Sequence, residues 1–73
     1  MNRGERVAAY LSDRPEQWLS ALALEKVGSR LAHTQAISEA RRLVRGRIEN
    51  RLIRKGTRVQ RSEYRFVPRE ARG

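Results

Sequence analysis

Cysteine is absent from all 73 residues, which excludes disulfides and thiolate metal sites and suits a reducing compartment. Histidine occurs once, at His33, so neither a multi-histidine metal set nor a His–Cys pair can be assembled. Aromatic residues are few: Tyr10, Trp18, Tyr64 and Phe66. The pattern assigns these mainly to the core, Trp18 between the first helix and the sheet, leaving no stacking platform for single-stranded bases. No apolar run approaches the ~20 residues needed to span a bilayer, and no signal-peptide pattern opens the chain. The five glycines are isolated, so there is no phosphate-cradling loop. Glu25, Glu39, Glu49 and Glu63 are scattered, most of them close to an arginine that would pair with them. Nothing assembles a catalytic constellation, and the expectation is a non-enzyme with no metal, no cofactor and no membrane partner.

What is present in excess is positive charge. The formal net charge is +9. Residues 1–27 carry four basic and four acidic side chains, whereas residues 28–73 carry thirteen and four, so the excess lies entirely in the second part. A one-sided basic surface concentrates a polyanion and speeds encounter with it. Only Lys26 and Lys55 among the seventeen cations are lysine. Arginine suits phosphate and guanine, but codon bias in a GC-rich genome accounts for much of that ratio, so the charge and not the arginine preference points to a polyanion.

Seventy-three residues make one small domain, expected over 1–68, with 69–73 a disordered basic tail. A first helix is expected at about 4–12, with Val7, Tyr10 and Leu11 on one face and Met1–Gly4 a loose lead-in. Ser12-Asp13-Arg14-Pro15 stops it. A short strand follows at about 16–19, then a helix at about 20–27 with Ser20 as N-cap and Gly28 ending it. A third helix is expected at about 32–45, its apolar period running through Ala36, Ile37, Ala40, Leu43 and Val44. After Gly46 the period changes from 3.6 to 2. Strands at about 47–54 and 61–67 then flank a basic loop, Lys55 to Arg61, with Glu49, Arg51, Glu63 and Arg65 placed for cross-strand charge pairs. The order helix, strand, helix, turn, helix, hairpin is that of an α+β winged helix-turn-helix domain, three helices with a small antiparallel sheet and a C-terminal hairpin wing.

The third helix carries the functional expectation. With its apolar side inward, Gln35, Ser38 and Arg42 occupy the centre of the opposite face, with Thr34 and Arg45 beside them. Amide, hydroxyl and guanidinium groups on an exposed helix can read base edges in a major groove. Gln35 suits adenine and Arg42 guanine, each pair worth ~1–3 kcal/mol of discrimination. Arg41, His33, Arg30 and the Ser29 amide are phosphate candidates. Arg54, Lys55, Arg58 and Arg61 would track the backbone or enter a minor groove from the wing. The partner expected is double-stranded DNA, bound by a protein that is a monomer in solution and pairs on DNA as a homodimer. A protein-interaction module docking on a host or phage protein, and a basic RNA-binding domain, stay open as alternatives.

Trp18-Leu19-Ser20, Val27-Gly28, Ile37-Ser38-Glu39-Ala40-Arg41, Gly46, Ile48-Glu49-Asn50-Arg51 and Ser62-Glu63-Tyr64-Arg65-Phe66 together resemble small winged-helix proteins of phages and prophages. The resemblance spans Trp18 to Val67. Ala40 stands where those proteins usually have leucine, and the link from Arg41 to Ile48 is one residue longer. It implies the winged-helix fold and DNA binding, as a small transcription or excision regulator of a phage or mobile element. The expected location is cytoplasmic, either nucleoid-associated or, for a phage protein, in the host.

Overall fold

Asn2 begins the first helix, α1 (Arg3–Ser12), by accepting a hydrogen bond from the Glu5 amide through Oδ1 at 2.9 Å. The computed structural model describes residues 2–27 and 33–69, with backbone alone for residue 33. Arg3 and Gly4 are therefore helical rather than a loose lead-in. Val7, Ala8 and Leu11 point into the core, and Pro15 lies just past the helix end. The chain then reverses through Glu16, whose φ of 61° is rare for a side-chain-bearing residue. The Glu16 amide donates to the Phe66 carbonyl at 2.8 Å, which fixes the reversal against the sheet.

Strand β1 (Leu19–Ser20) is shorter and later than the expected 16–19, because Glu16 turns and only the last two residues pair. Ser20 Oγ then accepts from the Ala23 amide at 3.2 Å and caps α2 (Ala21–Val27). Residues 28–32, and with them the glycine-marked turn at Gly28, lie outside the described residues. So do 70–73 of the basic tail. Helix α3 (His33–Leu43) buries Ala36, Ile37 and Ala40. It stops two residues short of the expected 45: Val44 donates to the Ala40 carbonyl, and the backbone then leaves the helix to reach Gly46.

Two long strands follow, β2 (Gly46–Lys55) and β3 (Arg58–Pro68). The sheet order is β1-β3-β2, antiparallel throughout. The seven-residue loop expected over 55–61 is instead a two-residue turn, Gly56-Thr57. Gly56 has φ +64° and Thr57 has no positive φ, the pattern of a II′ turn with glycine in its first central position. Lys55, Arg58 and Arg61 are thus strand residues. A register shift leaves Gln60 without an opposite residue, since Ile53 faces Arg61 and Arg54 faces Val59. At the other end Gly46 has φ +151°, and a Cβ there would collide with the Val67 carbonyl and the Phe66 ring.

The core gathers Val7, Ala8 and Leu11 of α1, Leu19, Leu24 of α2, the buried face of α3, and Ile48, Tyr64 and Phe66 of the sheet. It is a layer of three helices on one side of a three-stranded sheet, a layout compatible with a winged-helix arrangement. Trp18 does not join that core. It lies half-buried on the other face of the sheet, under the guanidinium groups of Arg51 and Arg65 at 4.1 and 4.7 Å. Its neighbour Leu19 takes the inward position, and strand alternation puts Trp18 outside. Leu43, expected to face inward, is 53% exposed, because the helix ends there and Val44 packs on the core instead. Among the described residues no helix is long and apolar enough to cross a membrane.

Candidate nucleic-acid interface

The buried stripe of α3 fixes its opposite face. With Ala36, Ile37 and Ala40 packed inward, Thr34, Gln35, Ser38, Arg41 and Arg42 are all exposed. Gln35, Ser38 and Arg42 follow the three- and four-residue spacing that lines up side chains along one helix face. Arg41 and Arg42 sit in the last turn, where positive charge also complements the helix dipole. Among the described residues neither has an ion-pair partner. Arg45 is exposed but belongs to the link after the helix, where its carbonyl accepts from the Arg69 amide. It therefore leaves the helical face on which the sequence pattern places it. Arg30 and Ser29 lie outside the described residues, as does the side chain of His33.

Helix α1 borders this face, which the sequence reading missed. A shallow hollow is lined by Arg3 together with Thr34, Gln35, Ser38, Glu39 and Arg42. Another, adjoining it, brings Asn2 and Arg6 beside Arg42 and Leu43. The contact behind both is close: a Cβ on Gly4 would stand 2.5 Å from the Glu39 Cβ. Glu39 accepts from Arg3 Nη2 at 3.2 Å, so one carboxylate holds the start of α1 against the middle of α3. The signal available in the sequence was Asn2 three residues before Glu5, a helix-start pattern that moves Arg3 and Arg6 onto ordered backbone.

The hairpin supplies a second group of cations. Every residue from Arg54 to Arg61 is exposed, and the molecule is 44 Å in its longest dimension against 16 Å in its shortest. Arg54, Lys55 and Arg58 surround the turn and have no ion-pair partner among the described residues. Arg61 differs. It pairs with Glu63 at 3.4 Å and lines a hollow with Ser20, Ala21, Leu22 and Glu25 at the start of α2, away from the turn.

The remaining ion-paired arginines of the sheet are engaged with two carboxylates of the same sheet, those of Glu49 and Glu63. Glu63, only 8% exposed, accepts from Arg51 at 2.7 Å. Glu49 accepts from Arg65 at 2.6 Å and from Arg47 at 3.0 Å. These are the expected cross-strand pairs, Arg51 opposite Glu63 and Glu49 opposite Arg65. Arg65 first and Arg47 second hold the Glu49 carboxyl below the usual carboxylate range. Stacked on Trp18 and ion-paired at the same time, Arg51 and Arg65 form an ordered layer rather than a free polyanion site. Among the described residues two groups of neighbouring exposed cations have no ion-pair partner, Arg41 and Arg42 at the outer face of α3 and Arg54, Lys55 and Arg58 around the hairpin turn; Arg6, Lys26, Arg45 and Arg69 are unpaired elsewhere. Among the described residues no three ligating side chains gather into a metal cluster. Comparison with protein-family models, with curated proteins and with solved structures finds no match.

Proposed function

We propose that this chain is a sequence-specific double-stranded DNA-binding protein of winged helix-turn-helix type. The third helix enters the major groove, and the hairpin acts as a wing on the backbone or in a neighbouring minor groove. One observation carries the reading: the side of α3 that the core leaves outside bears amide, hydroxyl and guanidinium groups in register, with no ion-pair partner for Arg41 or Arg42 among the described residues. Gln35 and Arg42 would take adenine and guanine, and Thr34 and Ser38 a base edge, a thymine methyl or a phosphate. Arg54, Lys55 and Arg58 would hold phosphates, contacts that position the protein without specifying a sequence. Arg3 and Arg6 extend the phosphate-contacting set to the border of the helix. The resemblance to small phage winged-helix proteins adds the role: a transcription or excision regulator of a phage or mobile element.

Selection of bound duplexes from a random pool, followed by salt titration on the selected and a scrambled duplex, tests the proposal. An enriched sequence is expected, with log affinity falling by about 0.9 per phosphate contact for each unit of log salt concentration. No enrichment, with equal binding to both duplexes, would leave only non-specific attraction. Preference for single-stranded RNA, or no binding to any nucleic acid, would turn the reading to the RNA-binding or the protein-docking alternative.

A further inference from the structure

Strand β2 is the edge of the sheet, and among the described residues nothing pairs with its outer side over Gly46–Lys55. A ten-residue edge exposes a row of backbone donors and acceptors, which proteins ordinarily blunt with proline, bulges or charge. Here β2 contains no proline, and the extra residue of the bulge, Gln60, sits on β3 instead. Its charges are arranged so that they complement a copy of themselves. We propose that β2 is a homodimer interface, pairing antiparallel with β2 of a second copy of this chain about a two-fold axis at Asn50.

In that register Glu49 faces the second copy's Arg51, and Arg51 faces its Glu49. Each of these residues already pairs within its own hairpin, Glu49 with Arg65 and Arg51 with Glu63. The two hairpins together would form rows that alternate in sign across four strands: Arg65, Glu49, then Arg51 and Glu63 of the second copy. On the other face, Leu52 meets the second copy's Ile48. Leu52 is 47% exposed and Ile48 belongs to the core, so pairing covers an exposed leucine with the rim of a hydrophobic layer. Arg47 faces Ile53 and Gly46 faces Arg54, so no like charges meet within residues 46–54, and the one like-charge approach is at the strand end, where Lys55 lies across from the second copy's Arg45. Sliding the strands by two residues sets Glu49 on Glu49 or Arg51 on Arg51, which like-charge repulsion disfavours. Sliding by one reverses the faces. The side chain of Asn50 turns toward β3, donating from Nδ2 to Ser62 Oγ at 2.8 Å and to the Glu63 carbonyl at 2.9 Å.

The chain has no cysteine, so a single introduced thiol reports the axis directly. Directly opposite residues in an antiparallel pair have Cα atoms about 4.5–5.5 Å apart, within disulfide reach. The test is sedimentation equilibrium of the full chain without nucleic acid, at concentrations up to about 0.1 mM, with oxidative cross-linking of Asn50→Cys and of Thr57→Cys at the exposed turn. The expected results are a concentration-dependent dimer and cross-linking roughly tenfold or more faster at position 50, as a docked geometry raises effective concentration. Leu52→Asp, at an exposed site, is expected to give a monomer with an unchanged circular dichroism spectrum. A parent chain that stays monomeric, equal cross-linking rates, or a dimer that survives Leu52→Asp would each overturn the proposal. Because no nucleic acid is present, none of these outcomes bears on the DNA-binding reading.

Discussion

Gly4 shows how a single missing side chain sets the position of the candidate interface. Adding a Cβ there puts a methyl 2.5 Å from the Glu39 Cβ and 2.6 Å from its carboxylate Oε2. The carboxylate end can swing away, but the Cβ is fixed to the α3 backbone, so the two helices must separate. Gly4→Ala is expected to destabilise by ~1–3 kcal/mol, the usual penalty of overpacking. A calorimetric melt reads this as a drop of several degrees, and an unchanged melt would mean that α1 and α3 are not that close. Glu49 provides a pH test. Its folded-state pKa is depressed by Arg65 and Arg47, so the stabilisation is present above the ordinary carboxylate value of 4.5 and is lost as pH falls through the depressed value. Glu49→Gln should therefore flatten the fall in melting temperature on the acid side of pH 4.5. Parallel curves for parent and variant would contradict the pairing. Trp18 is a residue whose environment sequence pattern misassigned. Its size argued for the core, but one position's difference in strand phase gave Leu19 the inside and left Trp18 beneath two arginines.

At the level of elements, legibility followed periodicity. Helix α3 was readable because Ala36, Ile37 and Ala40 keep a 3.6-residue period, and the exposed Thr34, Gln35, Ser38 and Arg42 follow from it. Its end was not readable: Leu43 and Val44 continue the pattern in sequence, while the backbone has already left the helix to reach Gly46. The cross-strand pairs of Glu49, Arg51, Glu63 and Arg65 were legible because a period of 2 places them opposite one another. The turn was not, because three cations from Lys55 to Arg61 resemble a solvated loop, and the II′ signal is a single Gly-Thr step. Arg3 and Arg6 escaped notice for a related reason: a capping asparagine is a weak cue at a chain's start. Helix α2 is held mainly by Leu24, its one fully buried side chain, with Ala21 and Val27 packed beside it. Leu24→Ala is expected to cost ~2–5 kcal/mol. Urea unfolding should show a midpoint moved far down at unchanged slope, whereas a small shift would mean that the site collapses around the loss.

For the molecule as a whole, the division of labour among arginines is the central point. Four of them, Arg47, Arg51, Arg61 and Arg65, are tied to Glu49 and Glu63 on the sheet. Arg41 and Arg42 at the α3 face and Arg54 and Arg58 at the hairpin turn of an elongated body have no ion-pair partner among the described residues. Under the DNA-binding proposal these two groups do different work, one reading sequence and the other holding phosphate. The most direct test compares Arg42→Ala with Arg58→Ala on a selected and a scrambled duplex across a salt series. Arg42→Ala should lose ~1–3 kcal/mol on the selected duplex and little on the scrambled one. Arg58→Ala should weaken both alike and lower the salt slope by about 1. Equal losses from the two substitutions on both duplexes would contradict the account.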